Sequence, residues 1–134
     1  MSTFKPQADP DSELTQVQIE ALYEQLTRER VRVTEGMDAR MSEAISDVDP
    51  LADEVDIAQR HTEQAYLMRF ADKEQKLLKE IAHALDKMKS GEYGVCEGTG
   101  EPIGYKRLEV RPWTRYSVEY KEELERDRSQ RRAS

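Results

Sequence analysis

No proline interrupts the chain from Thr15 to Asp47, and beyond Pro50 a second proline-free stretch runs past Lys89. In the first stretch Leu22, Leu26, Val33, Met37, Met41 and Ile45 recur mostly three or four residues apart, which places them on one face of an α-helix. Thr15-Gln16-Val17-Gln18 supplies a capping box at its start, with Thr at the N-cap and Gln three residues on. Gly36 weakens this helix by roughly 1 kcal/mol relative to Ala. Asp47-Val48-Asp49-Pro50 ends it, because the residue before a proline is driven out of the helical region. A second helix pattern opens near Asp53 and closes about Lys89, where Ser90-Gly91 is a stop signal. Ala58, Ala65, Met68, Ala71, Gln75, Leu78, Ala82 and Leu85 lie close to heptad spacing and are expected to form its inner stripe, with Gln75 fixing register. Two helices of ~30 and ~37 residues joined by a short turn should pair antiparallel and reach roughly 45–55 Å at 1.5 Å per residue. The expected fold is therefore mainly α: a long antiparallel coiled-coil hairpin on a small base.

Composition agrees with solvent-bathed helices more than with a globule. Of 134 residues 37% are charged and 37% hydrophobic, with two Phe and one Trp, so an apolar stripe is a minority of each helical turn. A net charge of −7 argues against general DNA binding through phosphate neutralisation, and permits contact with a basic surface or channel on a partner. A single cysteine excludes an intramolecular disulfide. Neither a signal pattern nor an apolar run of membrane-spanning length is present, so the expectation is a soluble, cytoplasmic protein with no membrane association.

The chain divides into a flexible tail over 1–13, the base part of the first helix over 14–32, the hairpin over 33–89 with its tip at 48–58, and a base region over 90–134. Residues 91–113 gather glycines and two prolines around a short apolar alternation at Ile103, Leu108 and Val110, which predicts tight turns and a small β-hairpin. From Thr114 to about Arg131 the pattern is helical again, with Val118, Tyr120 or Lys121, and Leu124 available for an inner face.

Two constellations carry possible chemistry. Asp53 and Asp56, three residues apart at the hairpin tip, share one helix face. They can simply complement the unpaired amides and positive dipole end of the second helix, or they can present carboxylates to a partner. The second is Tyr93-Gly94-Val95-Cys96-Glu97-Gly98-Thr99, which has the form of a zinc knuckle with Thr99 at the second ligand position. Where a further pair would close the tetrahedron the chain offers Ser117 and Tyr120. One thiol and three hydroxyls do not make a structural zinc site, so no metal is expected at Cys96, Thr99, Ser117 and Tyr120. His61 and His83 have no partner ligands at metal spacing and are assigned no chemistry.

Taken together, Asp53-x-x-Asp56-x-Ala58, Tyr93-Gly94-x-Cys96 with Ile103-Gly104, and Arg107-Leu108-Glu109-x-Arg111-Pro112 before a C-terminal helix resemble the DksA/TraR family of bacterial transcription factors over residues 14–125. The resemblance implies a monomer that binds bacterial RNA polymerase, reads no DNA sequence, and inserts its coiled coil into the secondary channel. It implies that promoter complexes are modulated together with the alarmone ppGpp, as part of the stringent response. Asp53, Asp56 and Ala58 would be the residues facing the polymerase active site, and Leu77, Arg111 and Lys121 would contact ppGpp. Glu80 stands where the family carries a lysine. The family's four zinc cysteines match Cys96, Thr99, Ser117 and Tyr120, which implies a cysteine-poor, zinc-independent relative with no structural cofactor. Arg69, Lys73 and Lys76 could touch the polymerase rim. No enzymatic activity is expected. The alternatives are a transcript-cleavage factor using the same channel and a coiled-coil adaptor with an unrelated partner.

Overall fold

The computed structural model describes residues 4–46 and 54–133. They form a short 3-10 turn at Pro10–Ser12 and four α-helices: α1 (Gln16–Ser46), α2 (Glu54–Ser90), α3 (Tyr105–Val110) and α4 (Val118–Ala133). The fold is mainly α, and no strand occurs among the described residues. The two long helices, 31 and 37 residues, match the lengths expected from the proline-free stretches. The capping box closes in both directions: the Thr15 amide donates to Gln18 Oε1 at 2.9 Å and the Gln18 amide to Thr15 Oγ1 at 3.1 Å.

The chain separates into two compact units, one of residues 1–27 with 80–134 and one of residues 28–79. In the first, Ile19, Leu22 and Leu26 of α1 are buried, as are Ile81, Ala84, Leu85 and Met88 of α2, with Tyr93, Cys96, Leu108 and Pro112 from the segments beyond. The Tyr93 hydroxyl is buried with its ring and donates to the Pro112 carbonyl at 2.7 Å, so this interior polar group is satisfied. Burial pushes the Tyr93 phenol up.

Residues 4–13 make more contacts than the composition of a tail suggests. The Gln7 amide donates to Met88 O at 2.9 Å, the Asp9 amide to Tyr93 O at 2.8 Å, and Pro6 and Ser12 are buried. Ser12 explains Gly94: with φ of +102°, a Cβ there would also lie 2.7 Å from the Ser12 Cβ.

The unit of residues 28–79 is an antiparallel helix pair in which Arg40 of α1 pairs with Glu74 of α2. The Arg40 guanidinium also lies over the Phe70 ring, 4.7 Å from its centroid. Here the expected inner stripe of α2 needs correction. The inward line is Leu67, Ala71, Glu74, Leu78, Ile81, Leu85 and Met88, each half-buried or buried, whereas Ala58, Ala65, Met68, Gln75 and Ala82 are exposed. The expected line shares positions 71, 78 and 85 with the observed one, is one residue late at Met68, Gln75 and Ala82, and at Ala58 and Ala65 has no inward counterpart one residue earlier. Glu74 is the reason: a carboxylate on the inner line looks like a solvent residue until its cation, Arg40, is known. Gln75 is exposed and off the inner line, and the polar pair between the two helices is Arg40 with Glu74.

Two further expectations change. Instead of a β-hairpin the base has one isolated antiparallel bridge, Val95 to Pro102, and the helix α3. α4 begins at Val118 and has no buried residue, with Val118 itself 44% exposed, so Val118, Tyr120 and Leu124 do not form a core face.

Leu26→Ala, at a fully buried position, should lower stability to urea by about 2–5 kcal/mol. Met68→Ala should change it by less than about 0.5 kcal/mol, because Met68 is exposed.

Candidate functional site

The base of the molecule is organised by the last turns of α2. Glu80, His83 and Lys87 lie three and four residues apart and share one helix face. Lys87 Nζ and His83 Nε2 both meet Glu97 Oε2, at 2.9 and 2.8 Å, which ties the turn after Cys96 to α2. Glu80 meets the Arg115 guanidinium through two parallel contacts, Nε to Oε2 at 2.8 Å and Nη2 to Oε1 at 2.9 Å. The two tethers are joined through the backbone, since the Glu97 amide donates to the Arg115 carbonyl at 2.8 Å. Burial pushes the Glu97 carboxyl up, but its bonds to Lys87 and His83 outweigh this and hold it below its ordinary value. The Glu80 carboxylate beside Arg115 raises the guanidinium's pKa. None of this clasp is anticipated by the sequence reading, which leaves His83 without a role. A histidine and a lysine four apart, with an acid directly after the only cysteine, were the available signal.

Next to the clasp in the chain lie the four knuckle positions. Cys96 is buried, and Ser117 Oγ lies 3.7 Å from its sulfur. Burial pushes the Cys96 thiol up, yet hydrogen bonds from the amides of Ser117, Thr99 and Gly98 and from the Thr99 hydroxyl bring it down to about 7. Such amide bonds to sulfur belong to a knuckle turn, closed here by Gly100 N to Cys96 O at 2.8 Å and Cys96 N to Glu101 O at 2.8 Å. Ser117 Oγ also accepts from the Tyr120 amide at 3.3 Å, capping α4. Tyr120 lays its ring directly on Gly98, where a Cβ would come within 2.1 Å of the ring, and meets Tyr116 at 5.2 Å between centroids. Thr99 is exposed, and its hydroxyl accepts from the Glu101 amide at 3.3 Å.

This donor set does not fit zinc. A structural site takes four thiolate or imidazole ligands, and the residues here supply one thiol, two hydroxyls and a phenol already packed against backbone. Among the described residues no group of three or more His, Cys, Asp and Glu is placed to hold a metal.

Beside the clasp lies a pocket of about 380 Å³, lined by Arg107, Arg111, Arg115 and Lys121 with Trp113, Thr114, Tyr116 and Glu80. It brings together Arg111 and Lys121, two of the residues expected to contact ppGpp. Leu77, the third, belongs to the unit of residues 28–79. Cations beside aromatic rings suit an anionic ligand with a planar group. At the hairpin tip, Asp56 and Ala58 lie exposed in the first turns of α2, while Asp53 falls outside the described residues. Arg69, Lys73 and Lys76 are exposed on α2.

A mainly helical chain with a long antiparallel helix pair and a zinc-ribbon-like turn lacking the zinc ligands defines a narrow class of protein. The sequence profile of the prokaryotic dksA/traR C4-type zinc finger matches residues 91–126. General stress protein 16O of Bacillus subtilis (strain 168) is 38% identical over 122 residues, covering 85% of this chain and 72% of that protein. The RNA polymerase-binding transcription factor DksA of Caulobacter vibrioides is 47% identical over 75 residues, 56% of this chain and 53% of that protein. The chain thus spans about half the length of this relative. The solved structure of transcription factor DksA2 from Pseudomonas aeruginosa matches with a TM-score of 0.75 and 33% identity, covering 84% of this chain and 87% of that one. The chain belongs to the DksA/TraR family.

Two tests follow from the base. Gly98→Ala should push Tyr120 off the turn and lower stability by about 1–3 kcal/mol in urea unfolding. Because the folded state holds Glu97 below its ordinary carboxyl value of 4.5, the unfolded chain takes up the proton first as pH falls. Glu97 should therefore stabilise the fold fully above about pH 5 and progressively less below it. Thermal unfolding should show a steeper acid decline in the native chain than in Glu97→Gln.

Proposed function

We propose that this chain is a transcription regulator that binds bacterial RNA polymerase directly, inserts its helical hairpin into the secondary channel and alters the stability of promoter complexes. The observation that carries the reading is the family match. Relatives similar to this chain bear the name RNA polymerase-binding transcription factor, and the 33% identity to DksA2 extends over most of both chains. The long helix pair supports it physically, since a partner channel requires a narrow element longer than a small globule is wide.

In this reading Asp53, Asp56 and Ala58 face the polymerase active site. The carboxylates act on the local field, and Ala58 permits close approach. The protein performs no catalysis of its own, works in the cytoplasm as a monomer and reads no DNA sequence. No described helix is long and apolar enough to cross a membrane.

The nucleotide ppGpp is the effector we assign to the basic pocket, with Arg111 and Lys121 on its phosphates and Leu77 as a packing residue. Support comes from the pocket's four cations and two aromatic rings. Zinc independence is also proposed. It rests on the unsuitable donor set, together with the hydrogen bonds and ring packing that already join the turn to α4. A fold of this kind is not tied to metal supply through its folding free energy.

One assay tests the whole reading: transcription in vitro from an rRNA promoter, with and without ppGpp, in the presence of a zinc chelator. The native chain should repress in chelator, and ppGpp should deepen the effect. Asp53→Asn with Asp56→Asn should abolish repression while polymerase binding persists. Loss of binding in the double variant would make the tip a docking site, and RNA release from backtracked complexes would point to a cleavage factor. Dependence on zinc would end the metal-free reading.

A further inference from the structure

The four cations of the basic pocket are not equivalent. Arg107 is held by the loop it supports, donating from Nε to the Tyr116 carbonyl at 3.0 Å and lying 3.5 Å from Thr114 Oγ1. Arg115 is held by Glu80 through both of its contacts. Arg111 and Lys121 make no side-chain hydrogen bond or ion pair among the described residues, and both are exposed. The pocket therefore contains two unengaged cations, one structural cation, and one cation whose planar fork already carries an anion.

Glu80 is itself part of the pocket wall. A carboxylate paired bidentately with a guanidinium occupies the same donors that would receive two oxygens of a phosphate. The pair is only partly covered, with the Arg115 side chain 31% and the Glu80 side chain 37% exposed, so an incoming anion can reach it. Displacement would not release the loop. The Arg115 carbonyl stays bound to the Glu97 amide whichever anion its side chain holds.

We propose that Glu80 is a selectivity residue of this pocket: an internal anion that a phosphorylated ligand must displace before it can use Arg115. Arg111 and Lys121 alone suffice for a single phosphate. A diphosphate, which extends to a third cation, competes with Glu80, so the diphosphate groups of ppGpp would be held by Arg111 and Lys121 and reach Arg115 only by displacing that carboxylate. The inference rests on reading the pocket as an anion site and adds a rule for which anions it accepts.

The test measures binding of inorganic phosphate and inorganic pyrophosphate to the full chain, by calorimetry and by NMR shifts at Arg111 and Lys121. Three proteins are compared: native, Glu80→Gln, and Glu80→Gln combined with Arg115→Gln. Glu80→Gln should tighten pyrophosphate about tenfold, the scale of one charge-assisted contact regained, and change phosphate by less than about threefold. Adding Arg115→Gln should remove the gain. Far-UV circular dichroism and thermal unfolding establish that each variant is folded. Equal tightening of both anions, no tightening of pyrophosphate, or a gain that survives loss of Arg115 overturns the role of Glu80 while leaving the anion site standing. If no protein shows anion-dependent shifts at Arg111 and Lys121, the anion site itself is wrong and the role of Glu80 falls with it.

Discussion

The base of this protein depends on one polar seam, the line Glu80, His83 and Lys87 on the last turns of α2. The segment beyond α2 is rich in glycine and turns, and its buried apolar side chains are few: Tyr93, Cys96, Leu108 and Pro112. The seam supplies directional contacts instead: Glu97 is gripped by two residues of the helix and Arg115 by a third, and the two gripped residues share a backbone hydrogen bond. Each such exposed pair is individually worth little. Their effect comes from closing a ring, in which opening any one of the four contacts leaves the other three in place.

Beside that ring, two of the knuckle positions carry side chains that each have a second task. Ser117 touches the Cys96 sulfur and caps α4, and Tyr120 covers Gly98 and packs against Tyr116. Packing of this kind is local, whereas a metal would constrain four distant atoms through a single centre. The seam and the packing are complementary in that sense, one fixing the loops to the helix and the other fixing the loops to one another.

Much of this architecture was legible in the residues. The proline-free stretches gave both long helices to within a residue or two, and Thr15 with Gln18 gave the cap. What remained hidden has physical causes. Glu74 lies on the inner line of α2 only because Arg40 neutralises it across the pair, and no pattern within one helix contains that information. α3 follows an N-cap at Gly104 with φ of +101° and no side-chain cap, buries only Leu108, and leaves Val110 74% exposed, so neither a cap signal nor periodicity announces it. The resemblance singles out Arg111 and Lys121 as ppGpp contacts, and the structure lines one pocket with both. The Glu80–Arg115 pair, 35 residues apart in sequence, was not legible.

The ring of Tyr120 resting on Gly98 also bears on what this scaffold could become. A four-thiolate centre would need cysteines at Thr99, Ser117 and Tyr120, and two of these changes, taken singly, carry a penalty. Removing Tyr120 uncovers the Gly98 backbone, and replacing Ser117 removes the hydroxyl that caps α4. No ion can repay either loss until the remaining ligands are also present. The aromatic lid thus acts as a ratchet: replacing Tyr120 or Ser117 alone loosens the turn before any ion can tighten it.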